Sequence, residues 1–259
     1  MKQKPPQSQT INSIAQLQAA FRQTMDLPAQ VSNEADVREQ LQRMMSALLA
    51  HRQIKTSAQL QNMLLACRLR LRTLQNKIAA VKPDSQHAPR DIAVAPLLED
   101  VAAAADLLLA PFGRNIVFLS SENQAYVRCD PRALIWLELE MLCNAVRHTP
   151  GEEITVHLTA AQASVTLQAE SGGFIDLQSL HDSLKRDDSG SAAMLRTAQL
   201  HSGSLLWSTS GTRAVCALRL PRSKAYNPRQ SRADVPDFVD LLCDQLSPVY
   251  TALAPCIGC

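Results

Sequence analysis

The stretch LIWLELEMLCNAVRHTP, Leu134 to Pro150, constrains this chain more than any other. Leu134, Leu137, Met141, Ala145 and His148 recur at three- and four-residue spacing, the period of a helix with one mainly apolar stripe. Glu140 and Asn144 are four apart, so a carboxylate and a carboxamide stack one turn apart on a neighbouring face. Thr149, Pro150 and Gly151 end the helix, because proline cannot continue it and glycine turns freely. Two oxygen-bearing side chains so placed suit a hydrated Mg²⁺ beside a phosphate, since Mg²⁺ takes oxygen ligands and keeps several waters. The same spacing fits an ordinary amphipathic helix with polar residues along its edge.

The rest of the chain narrows the context. At 259 residues and 46% hydrophobic it can bury one substantial core plus a helical appendage. A net charge of +2 gives no reason to invoke nucleic acid. No segment approaches the roughly 18 consecutive apolar residues of a spanning helix, since AVAPLLEDVAAAADLLLAPF is broken by Glu99, Asp100 and Asp106. MKQKPPQSQT has no apolar run behind its lysines and does not read as a secretion signal. Seven cysteines, most within apolar patterns, fit reduced thiols in a cytoplasmic protein rather than a disulfide framework.

Taken in order, residues 1–32 read as a disordered or short helical N-terminus, interrupted at Asp26-Leu27-Pro28. Residues 33–82 carry two stripes, Val37, Leu41, Met44, Leu48 and His51, then Leu60, Met63, Leu64, Leu71, Leu74 and Ile78, with the polar HRQIKTSAQ as the turn between them. Two such helices cannot bury both stripes alone, so the expectation is a hairpin that dimerises into a four-helix bundle; one long coiled-coil helix is the alternative. Arg68, Arg70 and Arg72 read as a solvated face. After a linker at 83–91, periods of 3.6 and 2 alternate through residue 221. Leu97–Leu109 is a helix, NIVFLSS and QAYVRCD are strands, and ITVHLTA with ASVTLQAE makes a hairpin. Ser191–His201 is a helix, and SLLWSTS with RAVCALRL makes a second hairpin. The expected fold is an α+β two-layer sandwich, one mixed sheet with helices on one face. Residues 222–259 read as a basic linker and a short amphipathic helix through Phe238, Leu241, Leu242, Leu246 and Tyr250, followed by a lone Cys256-x-x-Cys259.

LCNAVRHTP resembles the N box of the histidine-kinase-type ATPases, and MLRTAQLHSGSLLWSTSGTRAVCALRLP is similar to that family's helix, His-x-Gly turn, strand, Gly-Thr turn and final strand. The resemblance runs from about residue 91 to 221 and implies the family's fold, with ATP and Mg²⁺ as cofactors. It implies that Asn144 ligates Mg²⁺, that Arg147 approaches the phosphates, and that Glu140 activates water or a hydroxyl. It also assigns Glu170 and Gly172 to the adenine box, Gly190 to the phosphate loop and Thr212 to the final Gly-Thr turn.

The glycine boxes depart from the family pattern. The adenine box is Glu170-Ser171-Gly172-Gly173-Phe174, with a longer acid than the family aspartate and a phenyl ring at its second glycine. The phosphate box is Arg186-Asp187-Asp188-Ser189-Gly190, with Asp188 set among the phosphates. Like charges about 4 Å apart repel by about 1 to 4 kcal/mol between bulk water and an effective dielectric of 20, so binding weakens by about one to three decades. The phosphoacceptor position falls at Gln23-Thr24-Met25-Asp26-Leu27-Pro28, where glutamine cannot accept a phosphoryl group, and His51 is the alternative. His148 and His201 read as helix-end histidines. The expected function is signal transduction by a weak Mg-ATP-binding, atypically or non-autophosphorylating protein that partners a response regulator or other signalling protein. The alternatives are a non-catalytic dimeric scaffold and a serine kinase acting in trans.

Overall fold

The computed structural model describes residues 89–122, 124–148, 152–185, 190–223, 236, 238–243, 247–253 and 256. The chain divides into two compact units, Met1–Gln75 and Asn76–Cys259, and every described residue belongs to the second. The expected dimerisation hairpin, Gln23–Pro28, His51, Arg68, Arg70 and Arg72 lie outside the described residues, as do Thr149–Gly151 and Arg186–Ser189.

Seven strands are described: β1 (Arg90–Ala93), β2 (Asn115–Ser120), β3 (Tyr126–Cys129), β4 (Glu153–Ala160), β5 (Ser164–Gly172), β6 (Ser204–Ser210) and β7 (Arg213–Pro221). The helices are α1 (Val94–Leu109), α2 (Pro131–His148), α3 (Leu177–Lys185), α4 (Gly190–Leu200), α5 (Phe238–Cys243) and α6 (Pro248–Leu253). Five strands form a mixed sheet in the order β2-β4-β5-β7-β6, with β2 and β4 parallel and the other neighbours antiparallel. β1 and β3 form a separate antiparallel pair. This is the expected α+β architecture, with QAYVRCD paired outside the main sheet.

Period-two alternation gives the sheet one apolar face. Leu158, Leu167, Leu218 and Leu205 stand opposite one another across four strands, and all are buried. Full burial of each such side chain contributes about 1.5–3 kcal/mol. α1, α2 and α4 pack on this sheet. Asp130 sets the start of α2, its Oδ1 accepting the Arg132 N–H at 2.9 Å, with Pro131 as the first helical residue. At the far end of α4, Gly203 is required for space. A Cβ there would stand 2.6 Å from Leu220 Cδ2 and 2.7 Å from the Arg219 carbonyl oxygen.

The tail is two helices, where a single amphipathic one was expected. Ser247 breaks it: its hydroxyl donates to the Leu241 carbonyl at 2.7 Å and accepts the Tyr250 N–H at 3.2 Å, starting α6. Both helices pack on α1, and α6 also on α2. Leu241, Val249 and Leu253 are fully buried. α1 is therefore buried on more than one side, with Ala102, Ala104 and Ala105 in the core, while Pro96, Glu99, Ala103 and Leu107 keep one exposed stripe.

Candidate functional site

A cavity of about 400 Å³ opens between α2, α3, the start of α4 and the ends of β5 and β7. Met141, Asn144, Ala145 and His148 line it from α2, so the helical stripe read from the sequence forms one of its walls. Asn144 Nδ2 donates to Met194 Sδ at 3.4 Å, which fixes the carboxamide against α4 and leaves its oxygen uncommitted by that contact. One turn earlier, Glu140 is buried, and its Oε2 lies 3.7 Å from where a Gly190 Cβ would stand. Its carboxylate thus approaches the N-terminal end of α4, where the helix dipole favours negative charge. Glu140 meets Gly190 at the start of α4, and Asn144 meets Met194 one turn further along it.

Arg147 does not line the cavity; its charge acts on the Cys256 thiol of the C-terminal segment. Glu170 is also elsewhere. β5 carries Ala169 and Ser171 on the cavity side, and alternation turns Glu170 to the opposite face. There its carboxylate accepts from Gln168 and pairs with Arg213 at 3.4 Å, while Arg213 also donates to Thr155 at 3.2 Å. The cavity-facing position is Ser171, 2% exposed. A one-residue displacement in a strand exchanges the two faces, which is why reading the acid from the box pattern selected the wrong side.

Gly172 ends β5, and Gly173 at φ 126° makes the turn that follows. The Gly173 N–H donates to the Thr212 carbonyl at 2.8 Å, so Thr212 braces this turn through its backbone. Phe174 stands at the cavity rim, 70% exposed, and does not fill the space. Residues missed by the sequence reading are Ser171, Asp176, Met194, Trp207 and Cys216. Only alternation along β5 and β7 could have pointed to the first and last. Asp176 lines the cavity yet is committed to capping α3, its Oδ1 accepting the Gln178 and Ser179 N–H groups at 3.0 and 3.2 Å.

Burial pushes the Cys216 thiol up to about 12 and raises the Glu138 carboxyl well above its usual range. Both Glu138 oxygens are buried without a hydrogen-bond partner. His201 is lowered by burial, partly offset by Asp130, and sits at the end of α4 as a helix-end histidine. His148, by contrast, lines the cavity. Among the described residues no three His, Cys, Asp or Glu side chains gather as a metal site.

No protein-family profile and no curated protein matches this chain. Solved structures do. Acinetobacter baumannii histidine kinase AdeS aligns at TM-score 0.55 and 13% identity, over 76% of this chain and 100% of that one. Full-length ShkA, solved with AMPPNP, aligns at TM-score 0.54 and 15% identity, over 75% of this chain and 46% of that one. The chain has the histidine-kinase-type ATPase fold. Within that fold the residues present fit the magnesium end of a nucleotide, with an amide oxygen and a carboxylate one turn apart at a helix N-terminus. The cavity face of β5 presents the Ser171 hydroxyl and no carboxylate, and Asp176 beyond it is committed to capping α3.

Proposed function

We propose that this is a signalling protein whose histidine-kinase-type domain binds Mg-nucleotide weakly in the cavity beside α2. The carrying observation is that Asn144 lines that cavity while Glu140 and Gly190 meet beside it. Asn144 would hold Mg²⁺ through its amide oxygen, and Mg²⁺ would screen the phosphate charge. Glu140 is the residue to activate water or a hydroxyl, and the start of α4 would take a phosphate oxygen. ShkA, with AMPPNP bound, offers the precedent of the same fold holding a nucleotide analogue.

The departures shape the rest of the reading. With Glu170 on the far face, Arg147 outside the cavity lining and glutamine at the phosphoacceptor position, ordinary autophosphorylation is not expected. The protein would act as a dimer through residues 33–82, in the cytoplasm, upon a response regulator or another signalling protein. No helix among the described residues is long and apolar enough to cross a membrane. A non-catalytic scaffold is the second reading, favoured by the uncharged cavity face of β5. A serine kinase acting in trans would need Glu140 as its base and would show phosphate transfer to a partner.

Calorimetry with ATP and Mg²⁺ tests the proposal. A Kd of about 0.1–1 mM that requires Mg²⁺ and is lost in Asn144→Ala is expected. Undiminished binding in Asn144→Ala would remove the site assignment, and no heat at millimolar nucleotide would leave the scaffold.

A further inference from the structure

The sheet side of the cavity is a wall of small and apolar residues with a hydroxyl set into it. On the inner faces of β5, β7 and β6, Ala169 stands opposite Cys216 and Cys216 opposite Trp207. In the next row Ser171 stands opposite Ala214 and Ala214 opposite Thr209. All of these but Thr209 line the cavity; the Thr209 hydroxyl instead accepts the Ile175 N–H at 3.3 Å. The lining residues of the two rows carry no charge, and Ser171 is the one with a hydroxyl.

We propose that Ser171 makes this a site for purine nucleoside triphosphates in general, taking the oxo-bearing purines as readily as adenine. The inference rests on the nucleotide site proposed above and names its substrate class. It follows from what each group can offer the edge of a base. A carboxylate only accepts hydrogen bonds, so it suits the amino group of adenine and opposes the oxo group that guanine carries in its place. A hydroxyl has one donor and two acceptor lone pairs and rotates to suit its partner. Ser171 can therefore accept from the amino group or donate to the oxo group. A fixed hydrogen-bonding group rejects the wrong base by leaving polar atoms unpaired, whereas a rotating hydroxyl leaves neither purine unpaired.

The neighbouring residues add no preference. Ala169 and Ala214 offer only methyl groups, and an aromatic face such as that of Trp207 meets every base alike. The carboxylates nearby are directed elsewhere. Glu170 pairs with Arg213 on the other face of β5, and Asp176 accepts the Gln178 and Ser179 N–H groups.

The test is calorimetry on the full chain with Mg-ATP, Mg-GTP and Mg-ITP, the last carrying the oxo group without guanine's amino group. The expected dissociation constants lie within about threefold of one another, and all three nucleotides fail to bind Asn144→Ala. Ser171→Asp should open a preference for Mg-ATP over both oxo purines of at least about tenfold. Ser171→Ala should weaken all three alike, which keeps a decisive variant if Ser171→Asp does not fold. Mg-ATP bound, with Mg-GTP and Mg-ITP weaker by more than about tenfold, overturns the inference and leaves the nucleotide site standing. So does a loss confined to Mg-ATP in Ser171→Ala, equal affinities retained in Ser171→Asp, or Mg-GTP binding that survives in Asn144→Ala. No heat with any of the three removes the nucleotide site itself, and the inference with it.

Discussion

The two ends of the cavity were built by different periodicities and have fared differently. At the end proposed for magnesium, Glu140 and Asn144 share a helix, and a spacing of four holds them together wherever the helix begins. At the base end, the side chain that faces the cavity is decided by strand alternation, where one residue exchanges the inside for the outside. The first end carries a polar pair; the second presents Ser171, with Glu170 turned away to Arg213. A helix keeps chemistry in register more robustly than the end of a strand.

The strongest way to break this comparison is to undo the packing that holds Asn144. Met194 is fully buried and accepts the Asn144 amide. Met194→Ala should cost about 2–5 kcal/mol of stability by chemical denaturation, and weaken nucleotide binding as well. An unchanged midpoint would mean that α2 and α4 do not depend on this contact.

Glu138 shows the cost of burying α2. Desolvation raises its carboxyl, so the native state holds a proton that the unfolded state releases above the ordinary carboxyl range. Stability from this group is therefore greatest at low pH and declines as pH rises through the raised value. Glu138→Leu should remove that decline and add about 1–3 kcal/mol near neutral pH, the usual cost of a buried polar group without a partner. A pH–stability profile parallel to that of the native chain would refute the assignment.

Smaller effects sharpen the base end. Ser171→Asp places a carboxylate on the cavity face and should tighten ATP about tenfold, or about 1.4 kcal/mol, while leaving inorganic triphosphate unimproved. Glu170→Gln should change ATP affinity negligibly and stability by less than about 1 kcal/mol, because the Arg213 pair is partly exposed. Equal losses of ATP binding in Glu170→Gln and Asn144→Ala would reverse the assignment of faces.

Much of this was legible in the sequence. The two hairpins stood out because apolar residues alternate between turn residues, and α2 because its stripe is long and its ending abrupt. β1 was hidden because RDIA is short and adjoins a polar linker. α3 was not read from the sequence, because LQSLHDSLK has no buried residue and only the spacing of Leu177, Leu180 and Leu184 marks it as a helix. The tail's apolar spacing was correct, but Ser247 and Pro248 divide it into two helices. The Cys143–Ala252 hydrogen bond joins segments far apart in the chain, and no local pattern encodes it.

The central claim is that affinity comes from the magnesium end and hardly at all from the base. Calorimetry comparing Mg-ATP with Mg-tripolyphosphate on the intact chain measures this directly. The account predicts dissociation constants within about tenfold of each other, both lost in Asn144→Ala. ATP binding more than about a hundredfold tighter than tripolyphosphate would show that the base end still recognises adenine, and would contradict it.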